Sequence, residues 1–270
     1  MNHTSVGPAD GRLMIYFHGV PGAPSEINAL NDYAHKHALR IVCQDRLSLN
    51  FSSNDVLYFQ SLAADIKEIA QGKKVDIVGF SIGAFVALQV SRLIPDLVKN
   101  LHLVSPAAPL EGGDFSNHMA GKTVFKLAQK APLVFKALSN WQKFLALYWP
   151  KILVKMLFAT ASAKDKDLVK NRQFQNDIQL ILTDCFAHNT QGYIRDICRY
   201  VSPWHESLAS VAVKTHLWHG EQDNWSPIAM SEYLHKQIPA QTFIHRLPGL
   251  SHYSCLYAAM PEICKLIEQT

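Results

Sequence analysis

Residues 75–93, VDIVGFSIGAFVALQVSRL, contain the pattern that decides the fold. Residues 75–79 form a short apolar run typical of a strand buried on both faces, and residues 82–93 predict an apolar helix. Between them lies Gly79-Phe80-Ser81-Ile82-Gly83, in which small residues relieve the crowding around a serine on a tight strand-to-helix turn. We therefore interpret Ser81 as a nucleophile. The amide of Ile82, at the helix N-terminus, is placed to stabilise an oxyanion.

Strand and helix patterns alternate on both sides of this turn. Apolar runs at 13–17, 40–44 and 101–104 predict further strands, and residues 55–70 predict a helix. Residues 107–207 contain helical patterns without a convincing strand, after which strands are predicted at 213–218 and 242–245, and helices at 227–237 and about 257–268. This order predicts an α/β core with a mostly parallel sheet, formed by residues 1–106 and 208–270, and an all-helical insertion at 107–207.

A second loop, His18-Gly19-Val20-Pro21-Gly22, follows the strand at 13–17. With this loop and the serine turn, the chain resembles the α/β-hydrolase family over almost its whole length. The resemblance implies the α/β-hydrolase fold, with about six strands flanked by helices and an all-helical cap over the active site. It also implies that the amide of Val20 is the second donor of the oxyanion hole.

The family's order of nucleophile, acid and histidine implies the remaining catalytic residues. Asp223 follows the strand at 213–218 and precedes Pro227, which matches the family's acid position better than Glu221 does. His252 lies after the last strand and before the last helix. In this interpretation Ser81 attacks a carbonyl carbon, His252 transfers the proton, and Asp223 orients the imidazole.

Composition excludes several classes of protein. The chain has 270 residues, 48% of them hydrophobic, and a net charge of +4, which favours a globular protein with a sizeable core. No uncharged run reaches the ~20 residues of a transmembrane helix, and the first residues do not resemble a secretion signal. Five cysteines without a CxxC pair indicate reduced thiols and a cytoplasmic location.

No cofactor, metal or nucleic-acid partner is expected. Glycine-rich nucleotide motifs are absent from the sequence, and so are recognised nucleic-acid-binding motifs. His216 and His219 have a ligand-like spacing but lack a second matching pair of ligands.

Charge is distributed unevenly along the chain. Residues 115–164 contain eight lysines and no Asp, Glu or Arg, among many apolar and aromatic residues. One interpretation is an apolar acyl pocket whose outer, lysine-bearing face contacts an anionic membrane. In the simpler alternative, the apolar residues form the underside of the insertion and the lysines only solvate its outer face. The oligomeric state is not predicted.

The predicted function is hydrolysis of carboxylic esters by a serine hydrolase, with an apolar acyl group of medium or long chain. The same residues are compatible with a carbon–carbon bond hydrolase, an amidase or an aminopeptidase. A hydrolase-like binding protein without turnover is the alternative from another class, because a fold does not determine a rate.

Overall fold

A seven-stranded sheet forms the centre of the computed structural model, which describes residues 1–49 and 55–269. The strand order is β1-β3-β2-β4-β5-β6-β7. β1 pairs antiparallel with β3, and every other pairing is parallel. The strands are β1 His3–Val6, β2 Arg12–Phe17, β3 Leu39–Gln44, β4 Val75–Phe80, β5 Val98–Val104, β6 Thr215–Gly220 and β7 Thr242–Leu247.

The central strands are apolar because helices cover both faces of the sheet. Every residue of β4 is buried. Gly79 lies opposite Phe17 on one side and Leu103 on the other. Ser81, which follows β4, is therefore at the carboxyl edge of the sheet, where parallel α/β sheets bind their ligands.

Helices of the core are α1 Asn31–Lys36, α2 Asp55–Ala70, α3 Gly83–Ser91, α10 Ala229–Gln237 and α11 His252–Glu268. All residues of α3 are buried, which explains why it is apolar on every side.

Between β5 and β6 the described residues form helices and turns only. The main helices are α4 Lys122–Lys130, α5 Pro132–Tyr148, α6 Pro150–Leu157, α7 Asp165–Leu168, α8 Arg172–Thr183 and α9 Thr190–Val201. α4 packs on α5 and α9, and α6 packs on α8. We call this segment the helical insertion.

The predicted α/β-hydrolase fold is confirmed, with two differences in detail. The sheet has one strand more than the approximately six expected, because the short, polar β1 joins the edge through backbone pairing with β3 and has no apolar run to reveal it. The last helix begins at His252 and not near Tyr257, so His252 belongs to its first turn. The described residues include no helix with both the length and the apolarity to span a membrane.

Substitution of Gly83 by alanine should destabilise the fold strongly. A Cβ atom there would overlap the carbonyl oxygens of Phe17 and His18, which are backbone atoms and cannot rotate away. We expect a loss of about 3 kcal/mol in the free energy of unfolding, measured by urea denaturation.

Gly72→Ala is the control, because Gly72 has a positive φ of 79° but open space around its Cα. It should cost only about 1 kcal/mol, the conformational strain of a left-handed residue. Equal losses in both variants would contradict the overlap at Gly83.

Candidate active site

Ser81 occupies the turn between β4 and α3 in a strained backbone conformation. Its φ is 55°, in the left-handed region that non-glycine residues rarely adopt. The Ser81 N–H donates to the carbonyl oxygen of Val104 at 3.0 Å. Its carbonyl oxygen accepts from the amides of Ala84 and Ala107, at 3.0 and 3.1 Å. These bonds hold the serine in a conformation that it would not otherwise keep.

Val20 and Ile82, the residues predicted to form an oxyanion hole, line the same cavity as Ser81. The loop before Val20 contacts the turn, since a Cβ atom placed on Gly19 would lie 3.4 Å from the Cβ of Ser81. Neither the amide of Val20 nor that of Ile82 donates a hydrogen bond to another residue that the structure describes. Two unused donors beside a serine hydroxyl can stabilise negative charge on a carbonyl oxygen.

Asp223 and His252 are joined by a hydrogen bond. The Nδ1 atom of His252 lies 2.8 Å from Oδ2 of Asp223. The other oxygen, Oδ1, accepts from the amides of Trp225 and Ser226 at 2.8 and 3.0 Å. Because both of its oxygens accept hydrogen bonds, the carboxylate of Asp223 is held in one orientation. Its bond to Nδ1 of His252 leaves the other imidazole nitrogen, Nε2, pointing away from Asp223.

Electrostatics favour the ionised form of Asp223. Burial raises the pKa of this carboxyl, but the imidazoles of His252 and His219 and the hydrogen bonds from His252 and Ser226 outweigh burial and hold the pKa below its ordinary value. The carboxylate can therefore stabilise an imidazolium at His252.

Aromatic rings fix the position of the His252 imidazole. Trp225 stacks on it with a centroid distance of 5.2 Å and an interplanar angle of 19°. The ring centroid of Phe80, which precedes Ser81, lies 4.9 Å from that of the imidazole. His252 therefore contacts the residue directly before Ser81. Among the described residues, no hydrogen bond joins the side chains of His252 and Ser81.

A cavity of about 340 Å³ opens beside Ser81. Trp225 and Ser226 line it, whereas Asp223 and His252 do not. The rest of the lining is mainly apolar and comes from the helical insertion: Val124, Phe125, Leu138, Trp141, Leu153, Met156, Leu157, Leu182, Phe186, Tyr193 and Ile197. Such a cavity suits an apolar ligand with its polar end at Ser81.

Arg46 supports the loop that carries Val20, a role that the sequence interpretation missed. Its side chain is fully buried. Its Nε donates to Oδ2 of Asp196 in α9 at 2.8 Å, and another guanidinium nitrogen donates to the carbonyl oxygen of His18 at 2.9 Å. Tyr58 donates to the second oxygen of Asp196 at 3.1 Å. This ion pair joins the core to the helical insertion at the loop that carries Val20. Only the position of Arg46 after β3 hints at it in the sequence.

Glu26 is a buried carboxyl group that sequence reasoning also missed. Its Oε1 accepts from the hydroxyl of Tyr16 at 2.7 Å and from the amide of Gly19 at 3.3 Å. Burial raises the pKa of Glu26 to about 7, although these hydrogen bonds and Arg46 oppose the shift. The carboxyl group holds the loop before Val20, and no local pattern marks this glutamate as buried.

The fold, with a serine on the turn after its fourth strand, is that of an α/β hydrolase. The chain belongs to the family described as lipid-droplet associated hydrolase, whose model matches residues 14–255. The protein is therefore a hydrolase of the α/β type. A search of curated proteins finds no match.

Solved structures agree with this fold at low sequence identity. Bromoperoxidase from Bacillus anthracis is 17% identical with a TM-score of 0.67, and the alignment covers 99% of this chain and 94% of that chain. The esterase EaEST from Exiguobacterium antarcticum is 17% identical with a TM-score of 0.61, covering 99% and 95%. A structure from a study of carboxylesterases of Nitrososphaera gargenis is 13% identical with a TM-score of 0.64, also covering 99% and 95%. These similarities establish the fold alone.

Glu26 should make the stability of the protein depend on pH. Its folded-state pKa of about 7 lies above the ordinary value of 4.5, so the folded state binds the proton more tightly. The stability contribution is present at low pH and is lost as the pH rises towards 7. Between about pH 5 and pH 8, the wild type should lose about 2 kcal/mol relative to Glu26→Gln in urea denaturation.

Glu262→Gln is the matched control, because Glu262 is exposed and pairs with Lys265. Its stability should follow that of the wild type at both pH values. If the free energy of unfolding of Glu26→Gln changes with pH as that of the wild type does, ionisation of Glu26 does not destabilise the folded state, which would contradict the prediction.

Proposed function

We propose that this protein is a serine hydrolase that cleaves carboxylic esters with an apolar acyl group of medium or long chain. The observation that carries this proposal is the placement of Ser81 in the lining of a mainly apolar cavity, together with the unused backbone amides of Val20 and Ile82. The esterases among its structural neighbours are consistent with ester hydrolysis, and the family to which the chain belongs consists of hydrolases.

The first half of the proposed reaction forms an acyl-enzyme. Ser81 Oγ attacks the ester carbonyl carbon while His252 accepts the hydroxyl proton, and the amides of Val20 and Ile82 stabilise the oxyanion. Asp223 keeps Nδ1 of His252 protonated, so that Nε2 is free to act as base. His252 then protonates the leaving alcohol as the carbon–oxygen bond breaks.

In the second half, water replaces the alcohol. His252 removes a proton from water, which attacks the acyl carbon, and the proton then returns to Ser81 as the acid is released. The apolar lining from the helical insertion holds the acyl chain in both steps, so this segment acts as the cap that determines chain length.

Hydrolysis of p-nitrophenyl esters from acetyl to palmitoyl tests this function. We expect kcat/KM to be highest for acyl chains of about eight carbons or more, because each buried methylene contributes about 0.8 kcal/mol. Ser81→Ala should lower the rate by about 1,000-fold or more. The surface variant Ser210→Ala, with the same change of side chain, should behave as the wild type.

Each outcome has a defined meaning. A maximum at acetyl would reject the apolar acyl group but keep the nucleophile. If no ester is cleaved in a Ser81-dependent way, labelling of Ser81 by a fluorophosphonate distinguishes the remaining classes. Labelling would favour amide or carbon–carbon bond hydrolysis, and absence of labelling would favour a binding protein.

We also propose that α5 and α6 of the helical insertion contact an anionic lipid surface. Large apolar side chains on these helices, and that of Trp149 between them, are between 44% and 82% exposed: Leu133, Val134, Trp141, Phe144, Leu147, Tyr148, Trp149, Ile152 and Met156. We call this set the apolar patch. Proteins that stay in water rarely expose so many neighbouring apolar side chains.

Charges around the apolar patch indicate what it contacts. Lys136, Lys151 and Lys155 are exposed on the same two helices, and no ion pair with a carboxylate neutralises them within the described part of the chain. Apolar side chains with lysines beside them suit a surface of anionic phospholipid. Trp141 and Met156 belong both to the patch and to the cavity lining, so the cavity beside Ser81 adjoins this face.

Flotation with phosphatidylserine-containing and pure phosphatidylcholine vesicles tests this contact. The wild type should bind the anionic vesicles, and the double variant Trp149→Ser, Ile152→Ser should lose binding by about tenfold or more. Lys151→Glu with Lys155→Glu should remove the preference for anionic lipid, at about 1 kcal/mol for each charge. The control is Lys73→Glu with Lys74→Glu, on the exposed turn after α2.

Two results would oppose the lipid surface as occupant of the apolar patch. One is a wild type that floats with neither kind of vesicle. The other is a dimer in sedimentation that dissociates in the Trp149→Ser, Ile152→Ser variant, which would assign the patch to a second copy of the chain.

A cytoplasmic location is the remaining part of the proposal. All five cysteines are free, and Cys43, Cys185, Cys255 and Cys264 are buried in the core. Free thiols support a reducing compartment.

A further inference from the structure

The segment that follows α6 reaches from the helical insertion to both loops that carry the proposed acid and base. Phe158 packs its ring 5.5 Å from that of Trp225, after Asp223, and 5.4 Å from that of Tyr253, after His252. Asn224 donates from its side chain to the carbonyl oxygen of Thr160 at 2.7 Å. The insertion therefore touches the neighbours of both residues.

Ser162 connects the two loops through a single hydroxyl group. Its Oγ donates to the carbonyl oxygen of Gln222, directly before Asp223, at 2.6 Å. The same oxygen lies 2.8 Å from the hydroxyl of Ser251, directly before His252. The two loops also contact each other directly, because the amide of Gln222 donates to the carbonyl oxygen of Leu250 at 3.0 Å. Ser162 adds a connection between them from a residue that belongs to neither loop.

Asp165 binds the first turn of α11, which begins at His252. Its Oδ2 accepts from the amide of Tyr253 at 3.0 Å and its Oδ1 from the amide of Ser254 at 2.8 Å. These amides are among the N–H groups that an α-helix leaves unpaired at its start, and a negative charge there is favoured by the helix dipole.

The carboxyl group of Asp165 has no solvent exposure, and no cation pairs with it in the described structure. Burial of a carboxylate is costly unless hydrogen bonds compensate it. Here the compensation comes from the two amides that follow His252, so the orientation of α11 and the position of Asp165 depend on each other.

We propose that Asp165, assisted by Ser162, is a positioning residue for the hydrolytic reaction: from the helical insertion it holds the first turn of α11 so that His252 stays aligned with Asp223. This inference rests on the proposed function. It assigns to the insertion a part in catalysis besides lining the acyl cavity.

Asp165→Asn tests the role with little change in volume. The amide group of asparagine retains one acceptor oxygen but turns an NH2 group towards one of the two backbone donors, so the first turn of α11 must shift. On p-nitrophenyl octanoate we expect kcat to fall by about 10- to 100-fold while KM stays within about threefold, since Asp165 does not line the cavity.

Asp167→Asn is the matched control. Asp167 is in the same short helix, is exposed, and pairs with Lys170 at 3.0 Å. Its kcat and KM should equal those of the wild type. Ser162→Ala, a milder change, should lower kcat by about threefold or more without changing KM.

A spectroscopic measurement separates this proposal from the proposed function. The proton between Nδ1 of His252 and Asp223 should give a low-field NMR resonance that is absent in His252→Ala. We expect it to shift or broaden in Asp165→Asn and in Ser162→Ala but not in Asp167→Asn.

The possible failures can be told apart. If Ser81→Ala leaves all hydrolysis unchanged, the proposed function fails, and the NMR resonance still decides whether Asp165 positions His252. An unchanged resonance together with kcat within about twofold of the wild type in Asp165→Asn would overturn the positioning role, even if the melting temperature falls. Should Asp165→Asn fail to fold, the same two readings on Ser162→Ala decide.

Discussion

The turn at Ser81 depends on close contact between two backbones, and much of the site depends on that turn. Gly83 lies so near the carbonyl oxygens of Phe17 and His18 that a single extra carbon atom has no room. This contact lets α3 begin shortly after the end of β4, and Ser81 between them has a positive φ. The strain at Ser81 is tolerated because buried strands on both sides of β4 fix the chain before and after it.

Two buried polar connections then join the helical insertion to this core. Arg46 and Asp196 connect α9 to the loop before Val20, and Asp165 connects the segment after α6 to the helix that begins at His252. Loss of one partner of a buried ion pair costs several kcal/mol, because the other charge stays buried and unpaired. Buried charges therefore connect the insertion to the core at these two places, in addition to partly buried contacts such as those of Ser25 with Asp184 and of Arg195 with Leu47.

Sequence patterns predicted the parts of the molecule that local chemistry determines. The glycine-flanked serine, the apolar strands and the order of the three proposed catalytic residues are all visible within short windows. The fold inferred from them is confirmed, and the structure places Asp223 against His252, while the catalytic roles and the boundaries of the insertion stay predictions.

Contacts between distant residues were missed: Asp196 is 150 positions from Arg46, and Asp165 is 88 from Tyr253. No local pattern distinguishes such charges from solvated ones. The early start of α11 was missed although Ser251 and Ser254 form a capping box there, which is a local signal in addition to the distant contact with Asp165.

The helices α5 and α6 are apolar on two opposite faces, and this constrains what the insertion can do. Their inner face supplies Leu138, Leu153 and Leu157 to the cavity, and their outer face exposes Leu133, Tyr148 and Trp149. Packing against the core explains the apolar residues of the inner face. It does not explain those of the outer face, because a helix that only covered a core would be polar on its outside. The outer face gains from burial only if an apolar phase or another chain covers it. Since Trp141 and Met156 are part of the apolar patch and also line the cavity, the proposed lipid contact would place an apolar phase next to the cavity beside Ser81.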